Sequence, residues 1–168
     1  MNVNDYYHYI EGLAARHNLV AHSPHKKHYF RGELEEFYMD LRNRVNFPAV
    51  VAESFELHWE DAGDFKVRET SFIIAADYKE SKNWDAIARA MALCERIGDE
   101  FLARMMQDST DGNLCAEIEP VSAVPLLNEQ HLYAGIRYTI NVKTPFVTEA
   151  NPDMWNETPE HEHHCLRN

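Results

Sequence analysis

Apolar and polar residues alternate without interruption over residues 132–143, near the end of the chain. The apolar positions are Leu132, Ala134, Ile136, Tyr138, Ile140 and Val142. Side chains of a β-strand point alternately to the two faces of a sheet. A period of two held this long therefore predicts a β-strand with one buried face.

A second stretch with a period of two, residues 49–59, is followed by a polar turn at residues 60–64 and a further strand over residues 65–78. This order predicts a β-hairpin. On its second strand the apolar phase slips, which indicates either a bulge near Thr70 or burial on both faces. On its first strand, the predicted apolar face consists of Val51, Phe55, Leu57 and Trp59, and the predicted polar face carries Glu56 and Glu60.

Apolar residues recur at helical spacing in three segments. The longest, residues 83–108, predicts an amphipathic helix that packs on the sheet. Shorter patterns predict helices over residues 3–17 and 29–45, and the second ends before Pro48 because the residue that precedes a proline avoids helical angles. The apolar stripe of the long helix consists of Trp84, Ile87, Ala88, Met91, Cys94, Ile97, Phe101, Leu102 and Met105.

Residues 114–121 predict a strand, a proline-containing stretch at residues 124–128 bends it, and the long alternating strand then completes a second hairpin. This order of elements predicts an α+β fold. Its sheet is mainly antiparallel, is made of two β-hairpins, and packs against the long amphipathic helix, with two further helices at the N-terminus. Residues 1–147 are expected to form a single domain, and the polar residues 148–168 a C-terminal tail or arm.

The composition is that of a globular protein, with 45% hydrophobic and 26% charged residues among 168. No apolar run approaches the length of a bilayer span, and the first residues lack a secretory signal pattern, so we expect no membrane contact and a cytoplasmic or virion-borne protein. The 28 acidic residues outnumber the 16 basic ones, and the net charge of -12 disfavours binding of a nucleic-acid backbone by charge neutralisation. The three cysteines are widely separated and odd in number, which is typical of reduced thiols.

Two groups of residues carry side chains that bind transition metals. They are His161, His163, His164 and Cys165 in the tail, and His22, His25 and His28 in a Ser-Pro turn. Adjacent ligands in a polar tail rarely close a tetrahedral site, and a polar turn beside two lysines needs no metal, so we expect no metal site. The glycines stand singly, which excludes a Walker loop and a GxGxxG turn, and no serine lies in a GxSxG elbow. We therefore expect no cofactor, no catalytic residue and no enzymatic activity.

A resemblance to a known family rests on three features: the order of elements, the Phe-Pro step at residues 47–48, and the segment 135–142 followed by Pro-Phe at residues 145–146. They resemble the tail-terminator and tail-completion proteins of long-tailed bacteriophages and prophages. The resemblance is one of pattern and extends over about residues 30–146. It implies a small α+β domain, with a sheet backed by helices, whose copies close into a ring on the end of the tail tube.

The function implied by this resemblance is mechanical. The ring halts tube polymerisation, joins the head connector and leaves a channel through which DNA passes without specific binding. The implied partners are other copies of the chain, tail-tube proteins and head-connector proteins, first in the bacterial cytoplasm and then in the virion tail. The candidate residues are Glu56 and Glu60 on the first hairpin or Glu117 and Glu119 on the second for an acidic channel wall, and an arm with Met154 and Trp155 for the contact between subunits.

Two other classes of protein remain open, because fold does not determine function. A small acidic α+β binding or adaptor module would be a stable monomer or dimer with one apolar groove. A metal-dependent enzyme would gather His22, His25, His28 or His58 with carboxylates in one pocket.

Overall fold

A computed structural model of the chain describes residues 2–32, 45–61 and 64–146. These residues form two helices and five strands. In chain order they are helix α1 (Val3–Arg16), strands β1 (Tyr29–Arg31), β2 (Ala49–Glu60) and β3 (Phe65–Asp77), helix α2 (Trp84–Thr110), and strands β4 (Glu117–Asn128) and β5 (Tyr133–Pro145). Neither helix combines the length and the apolar character that a membrane span requires.

The strands form one sheet in the order β1-β2-β3-β5-β4. The pairs β2–β3, β3–β5 and β4–β5 are antiparallel, and β1 runs parallel to β2. The predicted α+β class and both predicted hairpins are therefore confirmed. The hairpins are joined side by side through a continuous pairing of β3 with β5, from Phe65 opposite Pro145 to Asp77 opposite Tyr133.

The predicted helix over residues 29–45 is wrong at its beginning. Tyr29–Arg31 is a strand, and Phe30 lies opposite Val51 of β2. Burial of Tyr29 and Phe30 against the sheet outweighs a helical spacing, because local propensity is weaker than tertiary packing. Residues 33–44, the remainder of that prediction, lie outside the described residues.

Helices α1 and α2 pack on one face of the sheet, which we call the helix side. The long alternating strand contributes its predicted apolar face to this core, as the sequence indicates. Leu132 itself precedes β5 with a φ of 53° and packs at the margin of the core. The buried residues of β5 on the helix side are Ala134, Ile136, Tyr138, Ile140 and Val142.

The opposite face, which we call the far side, is apolar at one end only. Strand β3 is buried on both faces there, and its pairing with β5 shows no bulge near Thr70, so the second of the two predicted alternatives is confirmed. The bulge lies in β2, between Ala52 and Phe55. It turns Val51 to the opposite face from Phe55, contrary to prediction. The far-side cluster consists of Phe30, Ala49, Val51, Ile73, Ala75 and Tyr133.

Helix α2 begins where the side chain of Asn83 accepts a hydrogen bond from the backbone N–H of Ala86 at 3.0 Å. This N-cap satisfies one of the free donors of the first turn. Most of the predicted stripe packs on the sheet, but Ala88 and Trp84 are exposed, Trp84 by 67%. Trp84 is the first residue of the helix and lies beyond the edge of the core, so the prediction that it packs inside is wrong.

A buried carboxylate joins the two helices. Asp108 of α2 accepts a hydrogen bond from the hydroxyl of Tyr9 on α1 at 2.8 Å, and Arg104 Nη2 lies 2.9 Å from its Oδ1. Burial acts to raise the pKa of Asp108. The hydrogen bonds from Arg104 and Tyr9 outweigh that effect and hold the pKa below its usual value.

Candidate functional site

The four candidate channel acids lie on the far side of the sheet, on the same face. They are Glu56 and Glu60 of β2 and Glu117 and Glu119 of β4. Glu56 lies opposite Glu69 of β3, Glu69 lies opposite Asn141 of β5, and Asn141 lies opposite Glu119. Directly opposite residues of adjacent strands share a face. The two pairs that the sequence presents as alternatives thus belong to one surface, which we call the acidic face.

Lys143 of β5 forms ion pairs with acids of both hairpins on this face. Its Nζ lies 3.0 Å from Glu60 Oε2 and 3.1 Å from Glu119 Oε2, so one ammonium bridges the two hairpins. The hydrogen bonds to Glu60 and Glu119 raise the pKa of Lys143, and the bond from Lys143 lowers the pKa of Glu60. Lys143 and Glu60 are therefore both charged at neutral pH. The alternation of β5 places Lys143 on the polar side of its strand, but no motif in the sequence marks it as a functional residue.

The bulge in β2 creates a second ion pair on the acidic face. Glu53, which breaks the alternation of its strand, is 8% exposed, and Arg137 Nη2 of β5 lies 2.8 Å from its Oε1. The hydroxyl of Thr70 donates to the backbone carbonyl of Glu53 at 3.3 Å, which holds the bulge against β3. A polar groove of about 340 Å³ lies here, and its lining includes Glu56, Glu69 and Arg137.

Glu56 and Glu69 lie directly opposite each other on β2 and β3. Like charges at such positions destabilise a sheet. Within the part of the chain that the structure describes, neither carboxylate has an ion-pair partner, unlike Glu60 and Glu119 beside them. Two carboxylates without an ion-pair partner therefore lie side by side on the β2–β3 half of the acidic face. Because the carboxylates are spread over three strands, the face presents a broad field of negative charge that repels polyanions.

The three imidazoles of the Ser-Pro turn do not gather around one point. His28 is buried, its Nδ1 lies 2.8 Å from the carbonyl of Pro48, and its backbone N–H donates to His22 Nδ1 at 3.1 Å. His25 is exposed. Across residues 2–32, 45–61 and 64–146, no three histidine, cysteine, aspartate or glutamate side chains converge as metal ligands. Met154, Trp155 and the tail cluster lie outside the described residues.

An apolar surface that the sequence assigned to the core lies on the helix side, at the hairpin end of β2. Trp59 is 52% exposed, and its ring meets that of Phe146 edge-on with centroids 6.2 Å apart. Leu57 is exposed beside them. We call these three residues the distal patch. The alternation of β2 correctly predicts a shared face, but it carries no information on how far the helices extend over that face.

A second exposed apolar surface lies on β4, at the edge of the sheet. The predicted bend at residues 124–128 is wrong, because β4 continues to Asn128 with only a register shift between Pro120 and Ser122. Residues 120–125 are all exposed, and no charged residue occurs from 120 to 128. We call residues 120–128 the uncharged edge. Its exposed large hydrophobic residues are Val121, Val124 and Leu127.

The chain matches no protein-family model, and no curated protein is similar enough to it to count as a relative.

Proposed function

We propose that this chain is a non-catalytic structural protein of tail assembly in a long-tailed bacteriophage or prophage. Copies of it form a ring at the junction between the tail tube and the head connector, assembled in the bacterial cytoplasm and retained in the virion tail. The observation that carries the proposal is the acidic face, to which both hairpins contribute carboxylates on the side of the sheet away from the helices.

An acidic face suits the wall of a channel through which DNA moves. Proteins bind duplex DNA by neutralising its phosphates with cations. A wall of carboxylates repels the phosphates instead, so DNA passes without being held. The bridge from Lys143 to Glu60 and Glu119 holds an acid of each hairpin close to the same ammonium group, and so keeps the two acids near each other on the sheet. In the ring the acidic face points inward and the helix side forms the outer layer.

Particle size tests the ring directly. Native mass spectrometry and electron microscopy of the purified chain over a range of concentrations are expected to reveal closed rings, alone or on the ends of added tail tubes. The expected consequence of ring binding is that the tubes stop growing. A chain that stays monomeric or dimeric at every concentration, and binds neither tail tubes nor head connectors, would contradict the proposal.

Charge reversal tests the inward position of the acidic face. A variant with Glu56→Lys, Glu69→Lys and Glu117→Lys is expected to form rings that bind linear duplex DNA but not closed circular DNA, because only a free end can enter a channel. The matched control reverses three exposed acids elsewhere, Asp85, Glu95 and Asp111. Equal binding of linear and circular DNA by both variants would show that the acidic face does not line a channel.

The second candidate is a small acidic binding or adaptor module. The exposed distal patch favours it, because an apolar surface with a tryptophan is typical of protein contacts. Such a module would remain a monomer or dimer while it binds another protein, so the particle-size experiment separates the two functions.

A further inference from the structure

The uncharged edge is unusual for an exposed strand at the margin of a sheet. Such strands present unpaired backbone groups, and proteins commonly protect them with charged side chains. Here a chain with a net charge of -12 has no charged residue from 120 to 128. Pro120 and Pro125 each lack a backbone N–H, so a continuous hydrogen-bond ladder with another strand is disfavoured. A contact between this edge and another protein surface would therefore be made by side chains such as Val121 and Val124 rather than by backbone hydrogen bonds.

The distal patch lies elsewhere on the same molecule, and its three side chains are likewise uncharged. Leu57 and Trp59 point to the helix side, whereas Glu56 and Glu60 of the same strand point to the far side. Lys66 of β3 lies directly opposite Trp59 and shares its face. The patch is therefore apolar. It is bordered by the positive charge of Lys66 and also by Asp64, whose backbone carbonyl accepts a hydrogen bond from the Phe146 N–H at 2.8 Å.

We propose that the uncharged edge of one copy of the chain docks on the distal patch of a neighbouring copy. This inference rests on the proposed function, because it names the contact between the subunits of the ring. The two surfaces occupy different places on one chain, as the head-to-tail contact of a ring requires.

Electrostatics favours a second copy as the occupant. Two chains with a net charge of -12 repel each other, and they approach closely only through surfaces without acids. The uncharged edge and the distal patch are both of this kind. Glu119 precedes the edge and Glu129 follows it, and Lys66 lies opposite Trp59 of the patch, so attraction between an acid beside the edge and this lysine favours an edge-to-patch contact. Two uncharged edges brought together would instead carry acids at their ends on both sides.

Three single substitutions test the contact. Val124→Glu introduces a charge on the edge, Trp59→Glu introduces one on the patch, and Met106→Glu on α2 is the matched control. The three positions are 49%, 52% and 47% exposed, so each variant is expected to keep the fold and the thermal midpoint of the wild type. Burial of an added carboxylate at the contact is expected to weaken self-association roughly a hundredfold in the first two variants and to leave the control unchanged.

Mixing the two deficient variants tests which surfaces meet. The Val124→Glu chain keeps an intact patch and the Trp59→Glu chain keeps an intact edge, so an equimolar mixture is expected to form one-to-one dimers that grow no further. Analytical ultracentrifugation of each variant and of the mixture, with and without tail tubes, measures this. Leu127→Glu and Phe146→Glu provide a second pair if either first variant loses its far-ultraviolet circular dichroism.

The possible outcomes distinguish failure of the docking inference from failure of the proposed function. If the wild type assembles and both deficient variants assemble equally well, the docking inference is overturned while the proposed function stands. If Val124→Glu alone prevents assembly and the mixture gives no dimers, two edges meet each other and the inference is again overturned. If the wild type assembles neither alone nor on tubes, both the inference and the proposed function fail. Capture of a different protein by the patch, without self-association, supports the adaptor module.

Discussion

Gly98 of α2 is buried against the ring of Tyr138 of β5. A Cβ atom added at Gly98 would overlap the ring carbons Cε2 and Cζ and would lie 2.5 Å from the hydroxyl oxygen. Ordinary non-bonded contacts are about 3.5 Å or longer. We therefore predict that Gly98→Ala lowers the stability of the protein, although alanine is the best helix former.

The Tyr138 ring has little freedom to move away. It is 2% exposed and stacks on Phe72 with centroids 5.1 Å apart and an interplanar angle of 6°. Its hydroxyl donates to the backbone carbonyl of Glu95 at 3.0 Å. To admit the methyl group, the ring must shift by about 1.5 Å, which disturbs both the stack and the hydrogen bond.

Three contributions set the size of the effect. Overpacking of a well-packed core costs about 1–3 kcal/mol. Loss of the hydrogen bond from Tyr138 costs about 1 kcal/mol. Replacement of a helical glycine by alanine contributes about 1 kcal/mol in the opposite direction. The net expectation is a loss of about 2 kcal/mol in the free energy of unfolding.

Urea denaturation followed by circular dichroism measures the change, since the midpoint falls while the slope stays constant. The matched control is Gly12→Ala in α1, where nothing lies within 4 Å of the added Cβ, and it is expected to gain about 0.5–1 kcal/mol. In a Tyr138→Leu background, Gly98→Ala is expected to cost less. A Gly98→Ala protein as stable as the Gly12→Ala control would refute this packing of α2 on the sheet.

Three further predictions concern titratable groups. The hydrogen bonds to Asp108 hold its pKa below the unfolded value, so their contribution to stability is present above about pH 4 and is lost as the pH falls toward the folded pKa. The Asp108→Asn variant is expected to be less stable than the wild type at pH 7 and to lose less stability on acidification, as urea titrations will measure. Lys143→Met is expected to raise the pKa of Glu60 and to lower stability at low ionic strength, and a difference that does not shrink with added salt would contradict the bridge. Burial raises the pKa of Cys94 to about 12, so in the native protein a thiol reagent is expected to label Cys115 and to spare Cys94 until urea is added, as peptide mapping will show.

The elements with long, regular patterns were predictable from the sequence. The alternation of β5, the hairpin of β2 and β3, and the apolar stripe of α2 are each properties of neighbouring residues. The polarity pattern also places Glu56 and Glu119 on polar faces of their strands. Strand β1 was not predictable, because three residues are too few to show a period of two. Its pairing, with Phe30 opposite Val51, also depends on a distant segment of the chain.

The residue pattern alone predicts the apolar side of β5 and of most of α2, because side-chain direction repeats with the geometry of the local backbone. The tertiary fold set the order of the strands, and with it the acidic face, since pairing of β3 with β5 places the acids of separate hairpins beside Lys143. It also decided that Trp59 is exposed rather than buried, because burial depends on where the helices end over the sheet. Both outcomes arise from contacts between residues far apart in the chain, which no local period encodes.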